Sequence, residues 1–219
     1  MDIKAVIFDL DGVIVSTDEC HYKAWKRMAD DEGIYFDMDI NKRLRGISRM
    51  ESLEVILERA AKEYSAEEKE AMATRKNGYY IEYIQALTPK DILPGVIRVL
   101  EHLKQTGIKV AIGSSSKNSP VILERIGLSK SFDAVADGNH ISKSKPDPEV
   151  FLLAAQKLDI SPKFCLVVED ADAGVEAAIA AGMKVLGLGV ATSNKNATYT
   201  ALDLEDPVVS DIFSMKTIK

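Results

Sequence analysis

Ile3-Lys4-Ala5-Val6-Ile7-Phe8 runs straight into Asp9-Leu10-Asp11-Gly12. The first six residues are short, apolar and β-branched, and the next four are polar with a glycine, so the stretch reads as a buried strand entering a turn. Similar runs recur at Ile108-Lys109-Val110-Ala111-Ile112, Ala134-Val135-Ala136, Cys165-Leu166-Val167-Val168 and Val185-Leu186-Gly187-Leu188, a minimum of five strands. Helix-period segments lie between them: Val96 to Gln105 after Pro94-Gly95, Pro120 to Ile126 before Gly127, Pro148 to Leu158, and Asp172 to Ala181 before Gly182. Proline near the start and glycine past the end punctuate helices. Alternating strand and helix predicts parallel strands joined by right-handed crossovers, an α/β layered core. One interval departs from the alternation. From about Asp18 to Leu87 the pattern is helical throughout, which predicts an inserted helical cap carrying a local basic group of Lys42, Arg43, Arg45 and Arg49. Ala191 to Thr200 is polar and weakly patterned and reads as loop.

The bulk numbers agree with this organisation. The chain has 219 residues, 46% hydrophobic and 28% charged, the balance of a globular protein with a core large enough for one domain and an appendage. Net charge is −6, which disfavours nonspecific attraction to nucleic acid or anionic membrane. Cys20 and Cys165 are the two cysteines, too few and too far apart for a disulfide framework or a zinc motif, so a cytoplasmic location is expected. No signal-peptide layout and no apolar run near the roughly 20 residues of a membrane span is present.

In a parallel α/β sheet, ligands bind outside the carboxyl ends of the strands. The residues just past the strands are therefore the candidates: Asp9 and Asp11 after the first, Ser114, Ser115, Ser116, Lys117 and Asn118 after the second, Lys145-Pro146 after the third, and Glu169 and Asp170 after the fourth. Four carboxylates at one edge repel one another unless a cation sits among them, and oxygen donors with a phosphate substrate favour magnesium. Asp9 can then act as nucleophile and Asp11 as general acid or base, while Ser114 and Lys145 hold the anion under attack. Each piece has a plainer reading. Asp9-x-Asp11-Gly12 alone is also an Asx turn closing a strand, Glu169-Asp170 is also a helix N-cap, and the serine run is also a polar βα loop. An EF-hand is excluded, because Val13 and Ile14 stand where that loop needs an oxygen ligand and its glycine continuity. There is no G-x-x-x-x-G-K-[ST] and no H-E-x-x-H, and Gly187-Leu188-Gly189 does not continue as G-x-G-x-x-G, so neither ATP nor NAD is indicated. Cys20 and His21 are helix neighbours about 100° apart and do not form a dyad; His21 shares a face with Trp25 and Met28, where a core histidine is the ordinary expectation.

Val6-Ile7-Phe8-Asp9-Leu10-Asp11-Gly12-Val13 resembles the first motif of the haloacid dehalogenase-superfamily phosphotransferases. Ile112-Gly113-Ser114-Ser115 resembles the second, Lys145-Pro146-Asp147-Pro148 the third, and Val167-Val168-Glu169-Asp170 with Ala173-Gly174 the fourth. The resemblance implies a Rossmann-like catalytic core over residues 1–15 and 91–219, a four-helix-type cap over 16–90, and one Mg²⁺ per active site held by Asp9, the backbone carbonyl of Asp11, Asp170 and Glu169. In the cap, Thr17-Asp18-Glu19-Cys20-His21, Ala24-Trp25, Arg45-Gly46-Ile47-Ser48-Arg49 and Arg75-Lys76-Asn77 are most similar to the superfamily's hexose-phosphate mutases. These interconvert β-glucose 1-phosphate and glucose 6-phosphate through an aspartyl-phosphate enzyme, with β-glucose 1,6-bisphosphate as the activating intermediate. By that resemblance Ser114, the backbone at Ser115 and Lys145 hold the transferred phosphate, while Arg49, Ser116, Lys117 and Asn118 hold the distal one. Gly46 and Ile47 touch the sugar, Trp25, Ser48 and Lys76 complete the substrate contacts, and Thr17 and His21 help switch Asp11 between positions. Ser16, Cys20 and Ser115 depart from the pattern, replacing an acidic, an aromatic and a small apolar residue. Two other functions compete with the mutase: an Mg²⁺-dependent sugar-phosphate phosphatase of the same superfamily and a noncatalytic sugar-phosphate-binding regulator. A monomer acting on small molecules is expected.

Overall fold

The computed structural model describes residues 3–44 and 47–214. The chain divides into two compact units, one of Met1–Ser16 with Thr88–Lys219 and the other of Thr17–Leu87. The first unit is built on a six-stranded sheet of β1 (Ala5–Phe8), β2 (Lys109–Gly113), β3 (Ala134–Ala136), β4 (Cys165–Glu169), β5 (Lys184–Leu188) and β6 (Tyr199–Ala201). Their spatial order is β3-β2-β1-β4-β5-β6, and every pairing is parallel. The order reverses between β1 and β4, the switch point where such sheets leave a crevice at their carboxyl ends.

The strands read as continuous apolar runs because both faces are covered. Ala5, Ile7, Ala111, Cys165, Val167 and Val185 share one face and pack with Val150, Phe151 and Ala154 of α7 (Glu149–Lys157) and Val175 and Ala178 of α8 (Asp172–Ala180). The alternate residues Val6, Phe8, Ile112, Leu166 and Val168 are equally buried on the other face. The unit also contains α5 (Val96–Thr106), which packs on β2, with α6 (Ser119–Arg125) and α9 (Pro207–Ser214). The segment expected to be loop between Ala191 and Thr200 holds a short 3₁₀ turn, Gly189–Ser193, and the start of β6.

The second unit holds α1 (Asp18–Asp31), α2 (Met38–Lys42), α3 (Arg49–Leu57) and α4 (Ala66–Ile84). Ser48 and Ser65 each accept a hydrogen bond from the backbone three residues on, while Glu51 and Glu68 return one, two reciprocal capping boxes that fix where α3 and α4 begin. The unit has its own core of Trp25, Met28, Phe36, Leu53, Ile56 and Met72. Among the described residues no helix is long and apolar enough to cross a membrane.

Candidate active site

Strand register assembles the acidic site. Phe8 of β1 stands level with Ile112 of β2 and Val168 of β4, so the next residue of each strand reaches the carboxyl edge together. Asp9 and Glu169 thereby become neighbours across the switch point. Lys145 comes between them, its Nζ 2.6 Å from Asp9 Oδ1 and 2.6 Å from Glu169 Oε1. All three are buried, with side chains 8%, 11% and 1% exposed for Lys145, Asp9 and Glu169. Although burial pulls the Lys145 ammonium down, the two carboxylates outweigh it and hold it above the usual lysine range. Burial pushes Asp9 up, with the charge of Asp11 adding to it against Lys145. Burial also pushes Glu169 up, again opposed by Lys145 and reinforced by Asp9.

Asp170 joins this pair: one ligand oxygen from each of Asp9, Glu169 and Asp170 lies within 4.8 Å of the others. Three carboxylates against one ammonium leave a net charge of −2 in a desolvated place. A hard divalent cation with oxygen ligands matches both the donor set and the charge. The site is shaped around these side chains by glycines. Gly12 turns the chain with φ at 87°, and a Cβ there would overlap the Asp170 carboxylate; a Cβ at Gly174 on α8 would overlap that of Glu169. Neither acidic residue caps α8, whose N-cap is Ala171 with no side-chain bond; Glu169 Oε2 instead accepts from the Ala171 amide at 2.9 Å. Asp11 sits half-buried in the turn after β1, and its side chain lies outside the acidic trio.

The serine loop follows β2. Ser114 is buried, with Oγ accepting from the Ser116 amide at 3.1 Å, and Ser116 Oγ accepts from the Asn118 amide at 3.2 Å. The Lys145 amide donates to Ser115 Oγ in a long 3.4 Å bond, joining this loop to the lysine loop. Lys117 is exposed.

The helical unit gathers a second group. Lys76, 3% exposed, places Nζ 3.0 Å from His21 Nδ1 and over the rings of Trp25 and Tyr80 at 4.7 and 4.8 Å. An ammonium has no acceptor, so Lys76 donates and Nδ1 accepts, which leaves the imidazole proton on Nε2. The His21 ring lies 4.2 Å from that of Tyr80. Arg49 opens α3 and donates from Nη2 to Asn77 Oδ1 at 2.8 Å. Ser48 is the N-cap of α3, Ile47 is exposed and Thr17 is buried. Gly46 lies outside the described residues. Sequence reasoning gave neither Asn77 nor Tyr80 a site role; Asn77 lies within the quoted Arg75-Lys76-Asn77 stretch, and the one signal for Tyr80 is its position on α4, four residues past Lys76.

His21 is held well below its ordinary value of 6.5 by burial and then by the charges of Lys76 and Arg49. The unfolded chain therefore takes up a proton near pH 6.5 that the folded one refuses, and stability rises with pH across that window and falls as pH drops through it. Denaturant melts at pH 7.5 and 5.5 are expected to show this loss in the native protein, and His21→Gln is expected to reduce the difference.

A parallel sheet with an acidic trio and a buried lysine at its switch point, and a helical unit inserted after the first strand, defines a class of phosphate-handling α/β enzymes. The chain belongs to the haloacid dehalogenase-like hydrolase family, whose model matches residues 3–182. It is 49% identical over 189 residues, 85% of this chain and 84% of the relative, to the β-phosphoglucomutase of Bacillus subtilis (strain 168). The crystal structure of β-phosphoglucomutase from Clostridium difficile superposes with a TM-score of 0.87 at 40% identity, covering 96% of this chain and 97% of that one. At 32% identity, over 83% of each chain, it is also similar to a phosphorylated carbohydrates phosphatase of Thermotoga maritima.

Proposed function

We propose that the protein is an Mg²⁺-dependent β-phosphoglucomutase that interconverts β-D-glucose 1-phosphate and D-glucose 6-phosphate through an aspartyl-phosphate and β-glucose 1,6-bisphosphate. The observation that carries phosphoryl transfer is Lys145 bridging Asp9 and Glu169 beside Asp170. What favours the mutase over the phosphatase is the 49% identity to a named mutase against 32% to a named sugar-phosphate phosphatase.

Asp9, Glu169 and Asp170, with the carbonyl of Asp11, are the groups to hold magnesium. Bound there, the metal neutralises charge on the phosphoryl group and on the attacking carboxylate. Asp9 Oδ attacks phosphorus, the bond to the sugar oxygen breaks, and Asp11 gives that oxygen its proton. In the return step Asp11 takes the proton of the 6-hydroxyl of a β-glucose 1-phosphate, that oxygen attacks the phosphorus of the aspartyl-phosphate to form the bisphosphate, and Asp9 is released as a carboxylate. Lys145 and Ser114 stabilise the charge on the transferring group. Arg49 is suited to the distal phosphate because its planar guanidinium makes paired, charge-assisted hydrogen bonds. Ser115, Ser116, Lys117 and Asn118 supply the other anion contacts, Trp25, Ile47, Ser48 and Lys76 those to the sugar phosphate, and Thr17 and His21 the positioning of Asp11. Binding energy from the distal phosphate is what lets a mutase keep water from its aspartyl-phosphate. Cys20 and Cys165 form no disulfide, which fits a reducing cytoplasm, and a monomer suffices for the chemistry.

The test is a glucose 6-phosphate-linked assay on β-glucose 1-phosphate with Mg²⁺ and a trace of the bisphosphate, with free phosphate followed in parallel. Bisphosphate-dependent glucose 6-phosphate formation with little free phosphate is expected; free phosphate without isomerisation would make the protein a phosphatase. In the same assay Arg49→Ala is expected to lower kcat/KM by about 100-fold, the scale of losing a charge-assisted pair of hydrogen bonds. Full mutase turnover in that variant would remove Arg49 from the distal site.

A further inference from the structure

We infer that Phe151 of α7 is a positioning residue for the reaction, its ring seating the Lys145 ammonium by a cation–π contact that leaves one N–H of the lysine for the phosphoryl group. The inference deepens the reading of Lys145 as a phosphate-holding group and rests on it. Lys145 Nζ lies over the Phe151 ring, 4.7 Å from its centroid, inside the roughly 6 Å over which a ring quadrupole attracts a cation. Phe151 is wholly buried and the Lys145 side chain is 8% exposed, so little water screens the contact. An aliphatic side chain in the same place would strip the ammonium of water and return nothing. The ring face is negative and returns part of that loss.

The ring is fixed from two sides. A Cβ at Gly113 would come 2.7 Å from Cδ1 and 2.9 Å from Cε1 of Phe151, so the ring occupies the place that a side chain at the end of β2 would take. On the helix side, Phe151 stands in the first turn of α7, where its amide donates to Pro148 O at 3.1 Å. The loop that carries Lys145 is tied to the same turn by Glu149, whose carboxylate accepts from the Ser142 and Lys143 amides at 3.0 and 2.8 Å. Lysine and ring thus belong to one closed loop, and the place of the ring sets that of the ammonium. An ammonium has three hydrogens to donate. Asp9 Oδ1 and Glu169 Oε1 take two, each at 2.6 Å. A hydroxyl or carboxylate in place of the ring would claim the third, whereas a ring face attracts the charge without an oxygen acceptor.

The experiment places mono-, di- and trifluorinated phenylalanine at position 151 of the full-length chain by codon suppression. Each fluorine withdraws charge from the ring face while making the ring more apolar, so apolar burial alone predicts no loss at each step. In the native chain, kcat for glucose 6-phosphate formation and stability to denaturant are both read in Mg²⁺. Stability is also read in Lys145→Met and Lys145→Gln, which carry no ammonium; either serves if the other does not fold. The expected result is a stepwise fall in kcat that reaches about tenfold at three fluorines, the scale of a desolvated cation–π contact. The folding constant is expected to fall in parallel, and only where Lys145 is present. A flat kcat across the series overturns the inference, and so do equal stability losses with and without the ammonium, which would make Phe151 a packing residue; the site reading survives both. A native protein that forms no glucose 6-phosphate overturns that reading and the inference with it.

Discussion

Asp9→Asn is expected to lower mutase turnover by about 10⁵-fold or more, the scale on which losing a nucleophile alone disables covalent catalysis. The amide is the same size and cannot form the acyl phosphate. It also removes one of three crowded carboxylates from a buried site where burial and Asp11 already disfavour the ionised form. The folded state is thus expected to keep its Tm, or gain slightly, while activity vanishes. Intact-mass measurement after incubation with the bisphosphate is the direct check: the native protein should carry an added phosphoryl group and the variant none. A phosphorylated Asp9→Asn protein would move the nucleophile elsewhere.

Lys145→Ala is expected to produce the largest loss of stability. It leaves Asp9 and Glu169 buried without the ammonium they share at 2.6 Å, and breaking a buried ion pair by removing one partner costs about 3–5 kcal/mol. For a chain of this size that is a drop in Tm of about 6–20 °C. The loss should be greatest in chelator and smaller in millimolar Mg²⁺, because a cation among the carboxylates replaces part of the missing charge. Melts of native and variant protein in both conditions measure it. An unchanged Tm in chelator would mean that Lys145 neutralises nothing in the folded state.

The five strands seen in the sequence are those that carry an apolar run, because both faces of the sheet are covered. β6 escaped detection: Tyr199-Thr200-Ala201 is three residues long at the sheet edge, follows asparagines, and runs into Leu202, which is 77% exposed. Unlike β3, an equally short edge strand that is wholly apolar, β6 has no apolar run to show. Asp9, Lys145, Glu169 and Asp170 were legible because the carboxyl ends of parallel strands are where ligand groups belong. The contacts between them were not. That Lys145 bridges two acids, and that Gly12 and Gly174 make room for Asp170 and Glu169, are facts of close approach between distant segments, and no local pattern encodes them. His21 was legible as a residue on the Trp25 face, but not its contact with Lys76, which comes from another helix. His140 carried no signal, since its partner Asp137 looks in sequence like any acidic residue in a turn.

The chain leaves the first unit after Ser16 and returns at Thr88, and the segments flanking those two points pair with each other within that unit. Val15 bridges Ile92 in antiparallel fashion, and the Leu93 amide donates to Ile14 O at 2.9 Å. Exit and re-entry are therefore stitched together by the sheet unit itself. Seventy-one residues, Thr17–Leu87, hang from one clasp, and the entropy of closing a loop grows only as the logarithm of its length. An insert of another size could be spliced at the same clasp without re-registering a strand. The insert is in this sense a separately replaceable part of the polypeptide.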